Sequence, residues 1–146
     1  MQEAPLRELA ERYMARIPRY MPFEAVVIPD LKTRTPNTEQ QKLREGEAIL
    51  ARVAPEDFVV LMDERGKEFS SRELAEFIDR KAQTLSRNLT FIIGGPYGFS
   101  PAVYERADLK VALSRMTFTH EMARTLTCEQ LYRAMTILRG EPYHHD

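Results

Sequence analysis

The sequence predicts an α/β fold: a mostly parallel sheet with helices on both faces. Two features carry that expectation. Phe58-Val59-Val60-Leu61-Met62 is a continuous apolar run, the pattern of a strand buried on both sides. Strand-like runs then alternate with stretches whose apolar residues recur at helical spacing, the order a parallel sheet requires. At 146 residues, 43% hydrophobic and 29% charged, the chain has the length and composition for one domain with a real core.

In chain order, Pro5 opens an amphipathic helix carrying Leu6, Leu9, Tyr13 and Ile17, which Pro18 and Pro22 end. Residues 23–28 read as a short strand, and 30–37, with Lys32, Arg34 and Pro36, as a loop. Thr38 and Gln41 form a capping box before a helix with Leu43, Leu50 and Val53 on one face. Gly46 inside that helix weakens it by about 1 kcal/mol relative to alanine. The buried strand follows at 57–63, then a polar turn around Gly66. Ser70 and Glu73 make a second capping box, and Leu74, Phe77, Ile78, Lys81 and Leu85 continue as a helix. Next come a strand at 89–93 and a short helix started by Ser100-Pro101, the cap and the first-turn proline. A further strand spans 108–113. Residues 120–139 form a long helix with Met122, Leu126, Leu131, Met135 and Leu138 near one side, closed by Gly140.

Composition narrows the function. A formal net charge of -1 argues against indiscriminate nucleic-acid coating, while leaving room for one structured RNA held by a local patch. The single cysteine, Cys128, rules out an intrachain disulfide and fits a reducing compartment; it reads as a small buried residue. No apolar run has the length of a membrane span, and Glu3, Arg7 and Glu8 replace a signal-peptide core, so a cytoplasmic protein is expected. Gly98-Phe99-Ser100-Pro101-Ala102 nearly matches a nucleophile elbow, but Pro101 lacks the N–H that site uses as an oxyanion donor. His120-Glu121 starts a metalloprotease-like string that Arg124 breaks, and the adjacent His144 and His145 have no cysteine cluster beside them. No metal is expected. Neither Gly66-Lys67-Glu68 nor Gly94-Gly95-Pro96-Tyr97-Gly98 is a phosphate-binding loop.

The most informative stretch begins at Phe91-Ile92-Ile93-Gly94-Gly95, where a strand stops at two glycines and backbone can approach a ligand without a Cβ in the way. A glycine pair alone would read as a tight turn. Open parallel sheets, however, bind ligands beyond the carboxyl ends of their strands, and Met62, Gly94 and Leu113 each fall at such an end. Convergence of three ends on glycine and main-chain polar groups suggests an adenine-bearing ligand.

These residues also resemble a known family. Ile92-Ile93-Gly94-Gly95-Pro96-x-Gly98-x-Ser100-Pro101, then Leu113-Ser114-x-Met116-Thr117-Phe118-x-His120, Arg124, Leu131-Tyr132-Arg133-Ala134 and Pro142-Tyr143-His144 occur in the order found in RlmH-type (YbeA-like) methyltransferases of the SPOUT superfamily. Met21-Pro22-Phe23-Glu24 and Glu45-Gly46-Glu47 extend the likeness over nearly the whole chain. The resemblance implies an S-adenosylmethionine-dependent homodimer that methylates N3 of a pseudouridine in 23S ribosomal RNA on the assembled ribosome. It also implies a C-terminal deep trefoil knot, an exception to ordinary chain connectivity. By motif match, Leu61, Met62, Gly94, Gly95, Leu113, Ser114, Arg115, Met116, Thr117 and Phe118 would hold the cofactor.

Two positions depart from the family. Thr119 stands where proline is usual, which would loosen that loop, and the usual first strand is missing ahead of the first helix. For the chemistry, a general base or nearby cations must deal with the imide proton of the acceptor. His144 is the candidate base, Tyr143 would stack on or hydrogen-bond the target base, Arg124 would stabilise negative charge or grip phosphate, and His120 completes the set. Solvated helix faces are the structural alternative for the arginines. A noncatalytic ribosome- or RNA-binding module that kept the fold is the competing function, which calorimetry with S-adenosylmethionine separates from an enzyme; a dimerisation scaffold is a third, which RNA modification on purified ribosomes decides.

Overall fold

The computed structural model describes residues 4–28, 38–84, 87–95 and 97–146. The loop expected at 30–37, Leu85 and Pro96 lie outside the described residues. Strands β1 (Phe58–Glu68), β2 (Leu89–Ile93) and β3 (Leu109–Ala112) make one parallel sheet in the order β2–β1–β3. Around it lie α1 (Ala4–Arg16), α2 (Thr38–Leu50), α3 (Ser71–Thr84), α4 (Pro101–Arg106) and α5 (His120–Arg139).

Alternation along the central strand distributes its side chains to two cores. Phe58, Val60 and Met62 face Ala75, Phe77 and Ile78 of α3 and Ala134 and Met135 of α5, with Ile17 after α1. Val59 and Leu61 face the opposite way, with Ile92, Phe99, Val103 of α4, and Ile49 and Leu50 of α2. Val59, Val60 and Leu61 are wholly buried, each worth about 1.5–3 kcal/mol relative to exposure. Helices therefore do cover both faces of the sheet.

The caps explain where several helices begin. Ser70 N–H donates to Glu73 Oε1 at 2.8 Å while Glu73 N–H donates to Ser70 Oγ at 3.1 Å, the reciprocal box read from the sequence. Ser100 Oγ accepts from Val103 N–H ahead of α4, with Pro101 in its first turn. Thr119 Oγ1 accepts from Met122 N–H at 3.2 Å, so the residue expected to loosen its loop instead caps α5. At the far end Gly140 takes a left-handed conformation (φ 69°) and closes that helix. In α2 the Gln41 amide donates forward to Glu45 Oε1 at 3.2 Å.

Three other expectations are corrected. Residues 23–28 form no strand: this segment pairs with none of the three strands of the sheet, and Val26 and Val27 are left exposed. Strand propensity without a partner does not make a strand. The polar turn around Gly66 is a bulge inside β1: both Met62 and Lys67 align with Val111, and Glu68 with Ala112. A Cβ on Gly66 would lie 2.6 Å from Val111 N, so the bulge returns to β3 only through a glycine. Finally, α5 buries only part of the apolar side read from its sequence, with Met135 in the core and Leu131 packed against it. Met122 and Leu138 are exposed, whereas Thr125, Thr127, Cys128 and Thr136 are buried with Ala134 and Met135.

Candidate functional site

Register places the site. Met62, the last residue of β1 before its bulge, is opposite Ile93 on one side and Val111 on the other, so β2, β3 and this first part of β1 end level. The segments leaving them (the bulge at 63–66, Gly94-Gly95, and residues 113–119) enclose a cleft of about 920 Å3. A Cβ on Gly94 would meet the Phe99 ring at 2.9 Å, and one on Gly95 the Glu45 carboxylate at 3.0 Å. Gly98, at φ 82°, folds its N–H back to Gly95 O at 3.2 Å, so the glycine run is both a close approach and a tight turn.

Side chains then set the polarity of the cleft. Tyr104 donates its hydroxyl to Asp63 Oδ2, and Arg65 donates its main-chain N–H to Asp63 Oδ1 at 2.8 Å. Burial pushes the Asp63 carboxyl upward, but these bonds and the Arg65 and Lys110 charges outweigh it and hold the group below the usual carboxylate range. Burial and the Asp63 bond raise the Tyr104 hydroxyl. Thr117 donates to Glu64, and Ser114 Oγ accepts from Met116 N–H at 3.0 Å, which shapes the loop after β3. Met116 stands 74% exposed at the mouth.

Of the residues singled out from the sequence, Met62, Gly94, Gly95, Leu113, Ser114, Met116, Thr117, Phe118 and His120 line this cleft. Leu61 does not: its side chain is buried on the opposite face of the sheet. Arg115 points to solvent and pairs with Glu68 at 3.7 Å. Arg124 is half-buried on α5 outside the cleft lining, and its Nε has no hydrogen-bond partner among the described residues.

Tyr143 and His144 gather elsewhere. Tyr143 donates to Glu129 Oε2 at 2.7 Å, with the Arg133 guanidinium over its ring at 4.8 Å. His144 Nδ1 lies 3.1 Å from Arg133 Nη1, and its Nε2 lies 2.9 Å from Asp146 Oδ1, which takes Arg72 Nε at 2.8 Å. Burial, then the Glu129 bond, raises the Tyr143 hydroxyl far above its ordinary value. Sequence reasoning missed Asp63, Arg65 and Tyr104; the signal for Asp63 was its place directly after the apolar strand.

Among the described residues no group of three or more His, Cys, Asp or Glu could hold a metal, and no helix is long and apolar enough to cross a membrane. A family model described as "Predicted SPOUT methyltransferase" matches residues 1–144. The chain belongs to the SPOUT methyltransferase family. It is 53% identical over 141 residues to "Ribosomal RNA large subunit methyltransferase H" of Christiangramia forsetii, covering 96% of this chain and 90% of that one. The protein of the same name from Porphyromonas gingivalis is 51% identical over 142 residues (97% and 90% covered), and that of Parabacteroides distasonis 49% over 140 (95% and 89%). For a SPOUT methyltransferase the first requirement is room for a methyl donor, and the strand-end cleft meets it. Its volume is within the range of about 300–1,000 Å3 common for cofactor sites.

Proposed function

We propose that this protein methylates N3 of a pseudouridine in 23S ribosomal RNA on the assembled ribosome, using S-adenosylmethionine and acting as a homodimer. One observation carries the reading: three level strand ends converge on a cleft walled by Met62, Gly94, Leu113 and Phe118. The family and the names of the relatives supply the reaction class and the RNA. The family relation is also the support for a C-terminal trefoil knot.

The residues present fit the donor. Met62, Leu113 and Phe118 offer apolar surface to a flat base, bare glycine backbone at 94–95 admits a close approach, and the Asp63 and Glu64 carboxylates suit the donor's sulfonium and ammonium charges. When bound, the sulfonium supplies an electrophilic methyl group. The protein's own contribution is then orientation, water exclusion and removal of the acceptor proton. In this reading His144 accepts the N3 proton, Tyr143 stacks on or hydrogen-bonds the target base, and Arg124 and His120 stabilise the developing anion. His144, Tyr143 and Arg124 do not line the cleft of their own protomer, so a second copy has to bring such groups to it. That requirement is the structural argument for the dimer.

The test is methyl transfer to purified ribosomes read by mass mapping, beside calorimetry with S-adenosylmethionine. His144→Ala and Arg124→Ala are each expected to cut turnover while donor affinity survives. Wild-type rates in both variants remove those residues from the mechanism, and a wild-type chain without donor affinity would make it a binding module.

A further inference from the structure

The bulge in β1 brings a cation to the cleft. Arg65 lines it together with Tyr104 and Met116, and the Arg65 side chain is 77% exposed. That exposed group is nevertheless held. Its Nη2 donates to the Tyr104 hydroxyl at 3.4 Å, and the same hydroxyl donates to Asp63, which also takes the Arg65 main-chain N–H at 2.8 Å. From β3, the exposed Lys110 places its Nζ 5.6 Å from the centroid of the Tyr104 ring.

Stability does not explain this mounting. An exposed guanidinium contributes little to folding, and a long side chain loses rotamer freedom when it is held. Nor is the charge used up by a partner. Both Asp63 oxygens already accept other hydrogen bonds, and Arg65 Nε stays 3.7 Å from Oδ1, beyond hydrogen-bond distance. The neighbouring Glu64 carboxylate takes the Thr117 hydroxyl, and Lys110 forms no ion pair among the described residues. Other arginines are committed to the fold: Arg133 lies 2.7 Å from Glu129, and Arg106 donates to the main-chain oxygens of Ala54 and Asp57. With a net charge of -1 overall, attraction to a polyanion has to come from a local surplus of this kind.

We propose that Arg65 and Lys110, gathered around Tyr104, seat a backbone phosphate of the ribosomal RNA at the rim of the cleft. This rests on reading the chain as a methyltransferase of that RNA. A guanidinium offers five N–H donors in a planar fork, and only one of them is bonded here, so the others remain for phosphate oxygens; the lysine adds a point charge. Asp63 and Glu64, which line the same cleft, repel phosphate. The strand is therefore held by the two cations, and only an uncharged base goes further in.

Methyl transfer by the full chain to purified ribosomes lacking the modification tests this, with kcat and the ribosome KM measured across a salt series. Calorimetry with S-adenosylmethionine runs beside it. Arg65→Ala should raise the ribosome KM about tenfold, the loss of one charged hydrogen-bonded contact, with kcat, donor affinity and melting temperature kept. Its salt slope should fall by about 1, and that of Arg65→Ala with Lys110→Ala by about 2. Arg65→Lys keeps the charge and should keep the slope. Arg87→Ala, at the amino end of β2 and paired with Glu56, should match wild type in every measurement. An Arg65→Ala protein with wild-type KM and slope, or one that loses donor affinity instead, overturns the phosphate seat. A wild-type chain that methylates no ribosomal RNA overturns the functional reading itself, so the two failures are distinct.

Discussion

Gly46 offers a test in which sequence and structure predict opposite signs. By helix propensity, Gly46→Ala stabilises α2 by about 1 kcal/mol. Yet Gly46 is where α2 meets α4: an added Cβ would lie 3.1 Å from Ser100 Cβ and 3.2 Å from Val103 Cγ2, and closer still to Ser100 Oγ. Moving the Ser100 hydroxyl aside sacrifices the cap of α4, about 0.5–2 kcal/mol, and forcing a methyl into filled space loses about 1–3 kcal/mol. The losses exceed the gain, so the variant should be less stable by about 2 kcal/mol, a fall in melting temperature of about 6 °C. Urea unfolding with a common m value is the assay. Combining it with Ser100→Gly should recover part of the loss, because the two sites touch. A Gly46→Ala protein as stable as wild type, or strict additivity in the double variant, refutes the close-approach argument.

Three further outcomes follow from the same geometry. Asp63 has a depressed pKa in the folded state, so its contribution is complete above the unfolded value of about 3.9 and vanishes as pH falls through the lower folded value. The melting-temperature gap between wild type and Asp63→Asn should therefore shrink below about pH 4, and a gap independent of pH counts against the Tyr104–Asp63 bond. Burial pushes the Cys128 thiol to about 11, so at pH 8 only about one thiol in a thousand is ionised, and labelling by an aromatic disulfide should wait for unfolding; rapid stoichiometric labelling of the native protein rejects this. Gly140→Ala has open space around it, so it should lose about 1 kcal/mol through backbone strain at φ 69° alone, visible as a lower urea midpoint; an unchanged midpoint argues against the left-handed cap.

What could be read from the sequence was whatever depends on neighbours in the chain. The Ser70–Glu73 box, the Ser100-Pro101 start and the Gly140 stop are local hydrogen-bond arithmetic, and all three stand. The strand at the centre was visible because a segment buried on both faces has no polar alternation to hide it. What failed depends on partners far along the chain. Residues 23–28 have strand chemistry but pair with no strand of the sheet, and Gly66 looks like a turn until Val111 is seen beside it. The buried face of α5 was read only in part, at Leu131 and Met135, because threonines that bond their own helix carbonyls can be buried as readily as leucine. At the site, the Gly94 and Leu113 motifs pointed to the cleft, whereas Asp63, Arg65 and Tyr104 meet only when the bulge of β1 faces α4.

The C-terminal residues show how far the static arrangement is from proton transfer. A guanidinium can only donate, so Arg133 Nη1 at 3.1 Å makes His144 Nδ1 the acceptor. The ring proton is then on Nε2, donated to Asp146 at 2.9 Å. Both nitrogens of the proposed base are thereby occupied, and the Asp146 contact is itself held by Arg72 from α3. Tyr143 is not an alternative acceptor, since burial and the Glu129 bond keep its proton in place. For His144 to take a proton, Nδ1 must first part from Arg133, and that guanidinium has another partner ready in Glu129 Oε2 at 2.7 Å. The proposed chemistry therefore asks the tail to exchange its own contacts for those of a cleft it does not line, and the Arg72–Asp146 ion pair and the Arg133–His144 contact are what such an exchange must break.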